Sequence, residues 1–350
     1  MINQFSTSFG IEPKNYIQRL KESKQIIDDF KSEEPSNFAY LITGIRGSGK
    51  TVLLSYVANY FKNDDDWIVL DSGPRKNMLE NVAAELYEKG KSKHLFLKTE
   101  FNFSFHGASI SISGGNPVSS LMAILQKMLE HIKSKRKKVL ITVDEVDNSE
   151  DMKEFIQAYQ SLIREGYPLM LLMTGLYENV SRLQNDKTLT FLYRAPKIYL
   201  GGLPLQSISF TYRKYINIDK ELSDKMAALT KGYAYAYQVL GYLMYREDVK
   251  EINDELLLSY DQYLSEYVYE KVYAKLSKNE QKFINSLKGI GPTSVEEIRI
   301  STGFDTKILS VYRARLIKKG VIVPSNYAYV DFALPRFYEF LQNEKLFYKF

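Results

Sequence analysis

The chain has 350 residues, 45% hydrophobic and 25% charged, with a net charge of +5 and no cysteine. That length predicts two or three domains with ample core, and the missing cysteines exclude a disulfide framework and thiolate metal sites. Three scattered histidines (His94, His106, His131) argue against a histidine-built metal centre, and no apolar run approaches roughly 18 residues. Without a basic-then-apolar start, the chain is expected to be cytoplasmic with no membrane partner.

Up to Ser36 the sequence reads as a loop and one amphipathic helix, with Ile17, Leu20, Ile26, Ile27 and Phe30 at helical spacing. The apolar run Ala39-Tyr40-Leu41-Ile42 then leads into Gly44-Ile45-Arg46-Gly47-Ser48-Gly49-Lys50-Thr51, and an amphipathic stretch (Leu53, Leu54, Val57, Ala58, Phe61) follows. Strand, G-x-x-x-x-G-K-[ST] loop and helix, in that order, form a phosphate-binding loop. Its glycines let successive amides point at one anion, and the helix opening at Lys50 adds its positive N-terminal dipole. Lys50 is expected on the β/γ-phosphates of a nucleoside triphosphate, and Thr51 as a ligand of the accompanying Mg2+. A chance glycine-rich turn is the alternative.

Trp67 to Asp71 reads as a second buried strand and Asn77 to Tyr87 as a helix, a series that implies a parallel sheet with helices on its faces. Alternating residues around His106-Gly107-Ala108 predict a hairpin inserted at about 100–114, with Phe101, Phe103 and Phe105 packing across its strands; a stacking platform for nucleic-acid bases is the alternative. A helix from about Val118 and a basic run lead to the strand Val139-Leu140-Ile141-Thr142-Val143, which ends in Asp144-Glu145. This has the form of a Walker B motif: Asp144 holds the magnesium ion through water, and Glu145 orients and deprotonates the attacking water. Two carboxylates capping the next helix are the alternative. The strand Leu169 to Met173 ends at Thr174, whose hydroxyl is expected at the γ-phosphate or the lytic water if this strand lies between the other two; otherwise it is a turn residue. Arg194, before the strand Lys197 to Leu200, is either an arginine finger for a neighbouring subunit or a surface arginine.

From Ile216 to Tyr273 the pattern is helical, and the tyrosines at 233, 235, 237, 242 and 245 read as core and rim. Beyond Ser277 the signals run helix (Asn279 to Leu287), helix (Ser294 to Ser301), turn, helix (Asp305 to Lys319) and two strands (Val321 to Val323, Tyr327 to Val330), which is the winged-helix pattern. Leu309, Tyr312 and Leu316 are expected to face its core, and Lys307, Ser310, Arg313, Ala314 and Lys318 an outer face that can contact double-stranded DNA or a protein. The stretch from Lys275 to Phe350 holds thirteen Lys/Arg against seven Asp/Glu, +6, so the remainder of the chain sums to −1.

This order of motifs resembles the AAA+-like ATPases of the archaeal-ATPase and STAND groups, relatives of the origin-recognition initiator ATPases. Gly44 to Thr51 matches their Walker A loop, Val143-Asp144-Glu145 their Walker B, and Thr174 their sensor position. Ile11-Glu12-Pro13 through Tyr16, Ile17 and Arg19 resembles their nucleotide-base box, with Gln18 where glycine is usual. Thr230-Lys231-Gly232 through Gln238 resembles their lid motif with alanine for proline and no sensor arginine, and Tyr329 to Phe337 the strand-to-helix end of their winged helix. The resemblance implies an α/β P-loop core (1–200) with strand order 5-1-4-3-2, a helical lid (201–275) that closes over ATP, a winged-helix domain (276–350), and a slow hydrolysis that resets a switch. The expected function is an ATPase switch whose winged helix binds DNA; the alternative is an ATP-dependent interaction module that self-associates or binds a protein. A small-molecule kinase is disfavoured by Glu145 and by the two helical domains.

Overall fold

The computed structural model describes residues 3–8, 13–92, 95, 121–248 and 250–347. The expected hairpin at about 100–114, His94, and Ile11 and Glu12 of the base box lie outside the described residues. The chain divides into two compact units: Leu20–Thr43 with Leu53–Ile198, and Met1–Arg19 with Gly44–Val52 and Tyr199–Phe350.

The first unit is built on a five-stranded sheet of β1 (Ala39–Thr43), β2 (Trp67–Ser72), β3 (Lys138–Val143), β4 (Leu169–Gly175) and β5 (Lys197–Tyr199), in the order β2-β3-β4-β1-β5. The pairs β1/β4, β3/β4 and β2/β3 are parallel. Strands covered on both faces must be apolar along their whole length, and β1 and β4 are buried at every residue. The helices α1 (Leu20–Lys31), α2 (Lys50–Lys62), α3 (Met78–Ser92), α4 (Leu121–Ser134), α5 (Glu150–Arg164) and α6 (Tyr177–Gln184) alternate with the strands. Ile124, Met128 and Ile132 of α4 and Phe155, Ile156 and Tyr159 of α5 share one core with Leu41, Ile141 and Leu171 of the sheet. The strand order is the one the resemblance implies, and β4 lies between β1 and β3. Register pairs Ile42 with Thr174 and Val143 with Met173, so the carboxyl ends of β1, β4 and β3 lie at one edge.

The second unit is helical. It holds α7 (Leu205–Ile216), α8 (Lys220–Leu229), α9 (Ala234–Glu247), α10 (Asp254–Leu264), a π-helical turn (Ser265–Tyr269) and α11 (Glu270–Ala274). Helix begins at Leu205 rather than at Ile216, which is instead the last residue of α7, because Asn217 adopts a left-handed φ of 56° and ends it. The rest is α12 (Lys278–Ile284), β6 (Thr293–Ser294), α13 (Val295–Thr302), α14 (Thr306–Lys319), β7 (Ile322–Asn326), β8 (Tyr329–Phe332) and α15 (Phe337–Phe347). Ser277/Glu280 and Ser294/Glu297 are capping boxes that start α12 and α13, and Asp305 caps α14. With the antiparallel sheet β6-β8-β7 these helices form the winged helix. Leu309 and Leu316 are buried as expected, in one core with Tyr212, Tyr237, Tyr260 and Phe337.

Candidate nucleotide-binding site

The loop from Gly44 to Thr51 leaves the end of β1 and runs into α2. Gly47 and Gly49 have φ of 74° and 89°, which side chains with a Cβ rarely adopt. Five consecutive loop carbonyls accept hydrogen bonds from the protein. The Lys50 ammonium, buried, donates to Gly44 O (3.1 Å) and Ile45 O (3.0 Å). The Tyr233 hydroxyl donates to Arg46 O at 2.5 Å, and the Tyr235 N–H to Gly47 O at 3.1 Å. Arg19 Nη2 donates to Ser48 O (3.0 Å) and to Gly201 O (2.8 Å). Within the loop the Ser48 N–H donates to Ile45 O at 3.2 Å. Burial pushes the Tyr233 phenol well above the ordinary tyrosine range, which keeps it a donor.

A side chain at Gly47 would not fit. Its Cβ would lie 2.3 Å from the Tyr233 hydroxyl and 2.9 Å from Tyr235 Cβ, so the turn after Thr230-Lys231-Gly232 sits directly on the loop. Sequence reasoning placed these tyrosines in the core and missed this contact. Their position just after the lid turn was the available signal. Tyr16 and Ile17 are half-buried, and Ile17 packs on the helical core.

The acidic pair belongs to the sheet unit. Asp144 is half-buried, while Glu145 is exposed and has a φ of 57°. The fully buried Thr174 hydroxyl donates its proton to Asp144 Oδ1 and accepts the Glu145 N–H at 3.0 Å. The Val146 N–H donates to Thr174 O at 2.8 Å, and Asn179 Nδ2 of α6 donates to Val146 O at 2.9 Å. Thr174 therefore orders both carboxylate-bearing residues at once. Asn179 was not singled out in the sequence, where an asparagine in the first turn of a helix carries no distinguishing signal. Among the described residues no cluster of three or more His, Asp or Glu could hold a metal ion.

Residues 18–175 match the family model described as Nephrocystin 3, N-terminal, and residues 266–341 a domain of unknown function (DUF8462). No curated protein sequence matches the chain. In structure it is similar to the Walker-type ATPase PABY2304 of Pyrococcus abyssi, with a TM-score of 0.62, 15% identity, and 93% of this chain and 96% of that one covered. The Aeropyrum pernix ORC2 protein in its ADPNP–ADP complexes gives 0.58 at 12% identity, with 96% of each chain covered. Cdc6p from Pyrobaculum aerophilum gives 0.50 at 16%, covering 97% of this chain and 98% of that one. The chain has the P-loop ATPase fold of the AAA+ type.

Within this AAA+-type fold the remaining expected site residues are Arg194 and the outer face of α14. Arg194 closes a 3-10 turn (Thr190–Arg194) before β5 and is exposed. On α14, Lys307, Ser310, Ala314 and Lys318 are exposed, whereas Arg313 is half-buried and its Nη2 donates to Tyr327 O at the wing tip (3.3 Å). The Tyr327 side chain is 97% exposed, and Ile308 (42%) and Val311 (49%) are exposed on α14. The apolar character of that helix was missed because helical spacing does not separate an exposed Ile308 from a buried Leu309.

Proposed function

We propose that this protein is an ATP-binding switch that hydrolyses ATP slowly and couples its nucleotide state to the winged helix. The observation that carries the coupling is the continuity between loop and wing within the second unit. Ile45 of the loop packs on Gly320, which ends α14: a Cβ on Gly320 would lie 3.4 Å from Ile45 Cβ. The turn whose Tyr233 and Tyr235 hold the loop also carries Lys231, whose ammonium meets Asp331 Oδ2 at 3.0 Å and Phe332 O at 3.1 Å on β8. A loop rearranged by a triphosphate therefore pulls on both the wing strand and the end of α14.

In this reading the amides of the Gly44–Thr51 loop and Lys50 bind the phosphates, and Arg19, beside Tyr16 and Ile17, braces the loop. The Thr51 hydroxyl and the Asp144 carboxylate, acting through water, are oxygen donors of the hard kind that Mg2+ takes, and the ion would neutralise charge on the phosphate oxygens. Glu145 takes a proton from water as the water oxygen bonds to the γ-phosphorus and the bond from that phosphorus to the bridging oxygen breaks. ADP and inorganic phosphate leave. An Arg194 supplied by a neighbouring subunit would add positive charge at that step.

Lys307, Lys318 and Ser310 give α14 a face for the phosphates of duplex DNA, and the +6 excess from Lys275 to Phe350 favours that contact. Exposed Ile308 and Val311 support a second reading, a protein partner on the same helix. A gel shift with ATP across a salt series separates them: DNA binding falls steeply with salt. The nucleotide reading predicts that Lys50→Ala abolishes binding of a fluorescent ATP analogue, and that Glu145→Gln retains it while turnover falls by about 10²-fold or more. Binding unaffected by Lys50→Ala contradicts it.

A further inference from the structure

Glu145 stands in a backbone conformation that glutamate avoids, with φ of 57°, and that conformation must be imposed by its surroundings. Three successive peptide planes are pinned here. The plane of 144–145 is held through the Glu145 N–H on Thr174 Oγ1 (3.0 Å), and that of 145–146 through the Val146 N–H on Thr174 O (2.8 Å). The plane of 146–147 is held through Val146 O, which accepts from Asn179 Nδ2 at 2.9 Å. Val146 itself is fully buried against Gly175, where a Cβ would come within 2.8 Å of Val146 Cγ2. The first two anchors come from one residue at the end of β4. The third comes from α6, a different element, and closes the turn.

We propose that Asn179 is a positioning residue for Glu145: by fixing Val146 it holds the left-handed turn that presents the Glu145 carboxylate to solvent and to the attacking water. The inference rests on the hydrolytic reading above. A carbonyl facing Asn179 demands a donor, so only the amide nitrogen of the asparagine serves, and an isosteric carboxylate would repel it. Misplacing a reacting group by about 1 Å costs up to roughly 10²-fold in rate.

The experiment compares ATP turnover and affinity for a fluorescent ADP analogue in the wild type, Asn179→Ala and Asn179→Asp. The expected result is a fall in kcat of roughly 10- to 100-fold in both variants, with KM and ADP affinity changed less than about twofold. For Asn179→Asp the deficit, taken relative to wild type at each pH, shrinks as the pH falls toward about 4, where the new carboxyl takes up a proton and donates again. Asn179→Ala shows no such recovery. Undiminished kcat in both variants, or parallel losses of kcat and ADP affinity without recovery at low pH, overturns the proposal while leaving the hydrolytic reading intact. A wild type that binds ATP without turning it over refutes that reading, and the role of Asn179 falls with it.

Discussion

Glu145 and Gly47 show how single residues trade stability against the site. The left-handed backbone of Glu145 costs about 1 kcal/mol that glycine would not incur, and its side chain is exposed, so little packing is lost on its removal. Glu145→Gly is therefore expected to raise unfolding free energy by roughly 0.5–1 kcal/mol in urea while abolishing turnover. Equal or lower stability would show that the turn is not strained. Gly47→Ala works the other way. It places a Cβ 2.3 Å from the Tyr233 hydroxyl at a φ of 74°, and should weaken binding of a fluorescent ADP analogue by breaking the Tyr233 bond to Arg46. The places of Lys50 and Thr51 at the start of α2 and of Asp144-Glu145 after β3 were legible in the sequence because each follows a contiguous apolar run. Tyr233 and Asn179 were not, since their partners lie 187 and 33 positions away and a single sequence does not record such pairings.

Among the elements, those with a strong period or an explicit cap were read nearly to the residue. Val139–Val143 and Leu169–Met173 announced themselves as continuous apolar runs because their strands are buried on both faces. Ser294 and Asp305 marked helix starts because each accepts a hydrogen bond from the third residue beyond it. The two-residue strand β6 and the π-helical turn were invisible: the former is too short to show alternation, and the latter depends on tertiary packing. One buried pair joins α12 to α14. The Lys319 ammonium lies 3.0 Å from both carboxylate oxygens of Glu280, and the two side chains are 8% and 2% exposed. Lys319→Met leaves that carboxylate buried without its partner and is expected to cost roughly 3 kcal/mol in denaturant unfolding. Burial alone would raise the Glu280 pKa, but hydrogen bonds from the Ser277 backbone and from Lys319 outweigh it, and the net position is below the ordinary glutamate value. A lowered folded pKa means that this stabilisation is complete above the ordinary value and is lost as pH falls through the lowered one. The gap between wild type and Lys319→Met should accordingly narrow on acidification. A gap that widens would contradict the assignment.

For the whole molecule, the sheet order followed from the family resemblance and the helical second unit from helical periodicity, whereas the joining of the Gly44–Thr51 loop to the wing did not, because Ile45, Gly320, Lys231 and Asp331 are brought together only by folding. That joining makes linkage reciprocal: a nucleotide that alters the wing must have its own affinity altered by whatever binds the wing. The decisive measurement is amide hydrogen exchange over residues 322–332, with and without a non-hydrolysable ATP analogue and magnesium, in the wild type and in Lys231→Met. Nucleotide should change exchange of the β7 and β8 amides in the wild type, and much less in Lys231→Met, with analogue binding retained in both. If the analogue binds, protecting the 44–51 loop, and the wing amides exchange identically with and without it, nucleotide state is not transmitted to the winged helix and the proposed switch is wrong.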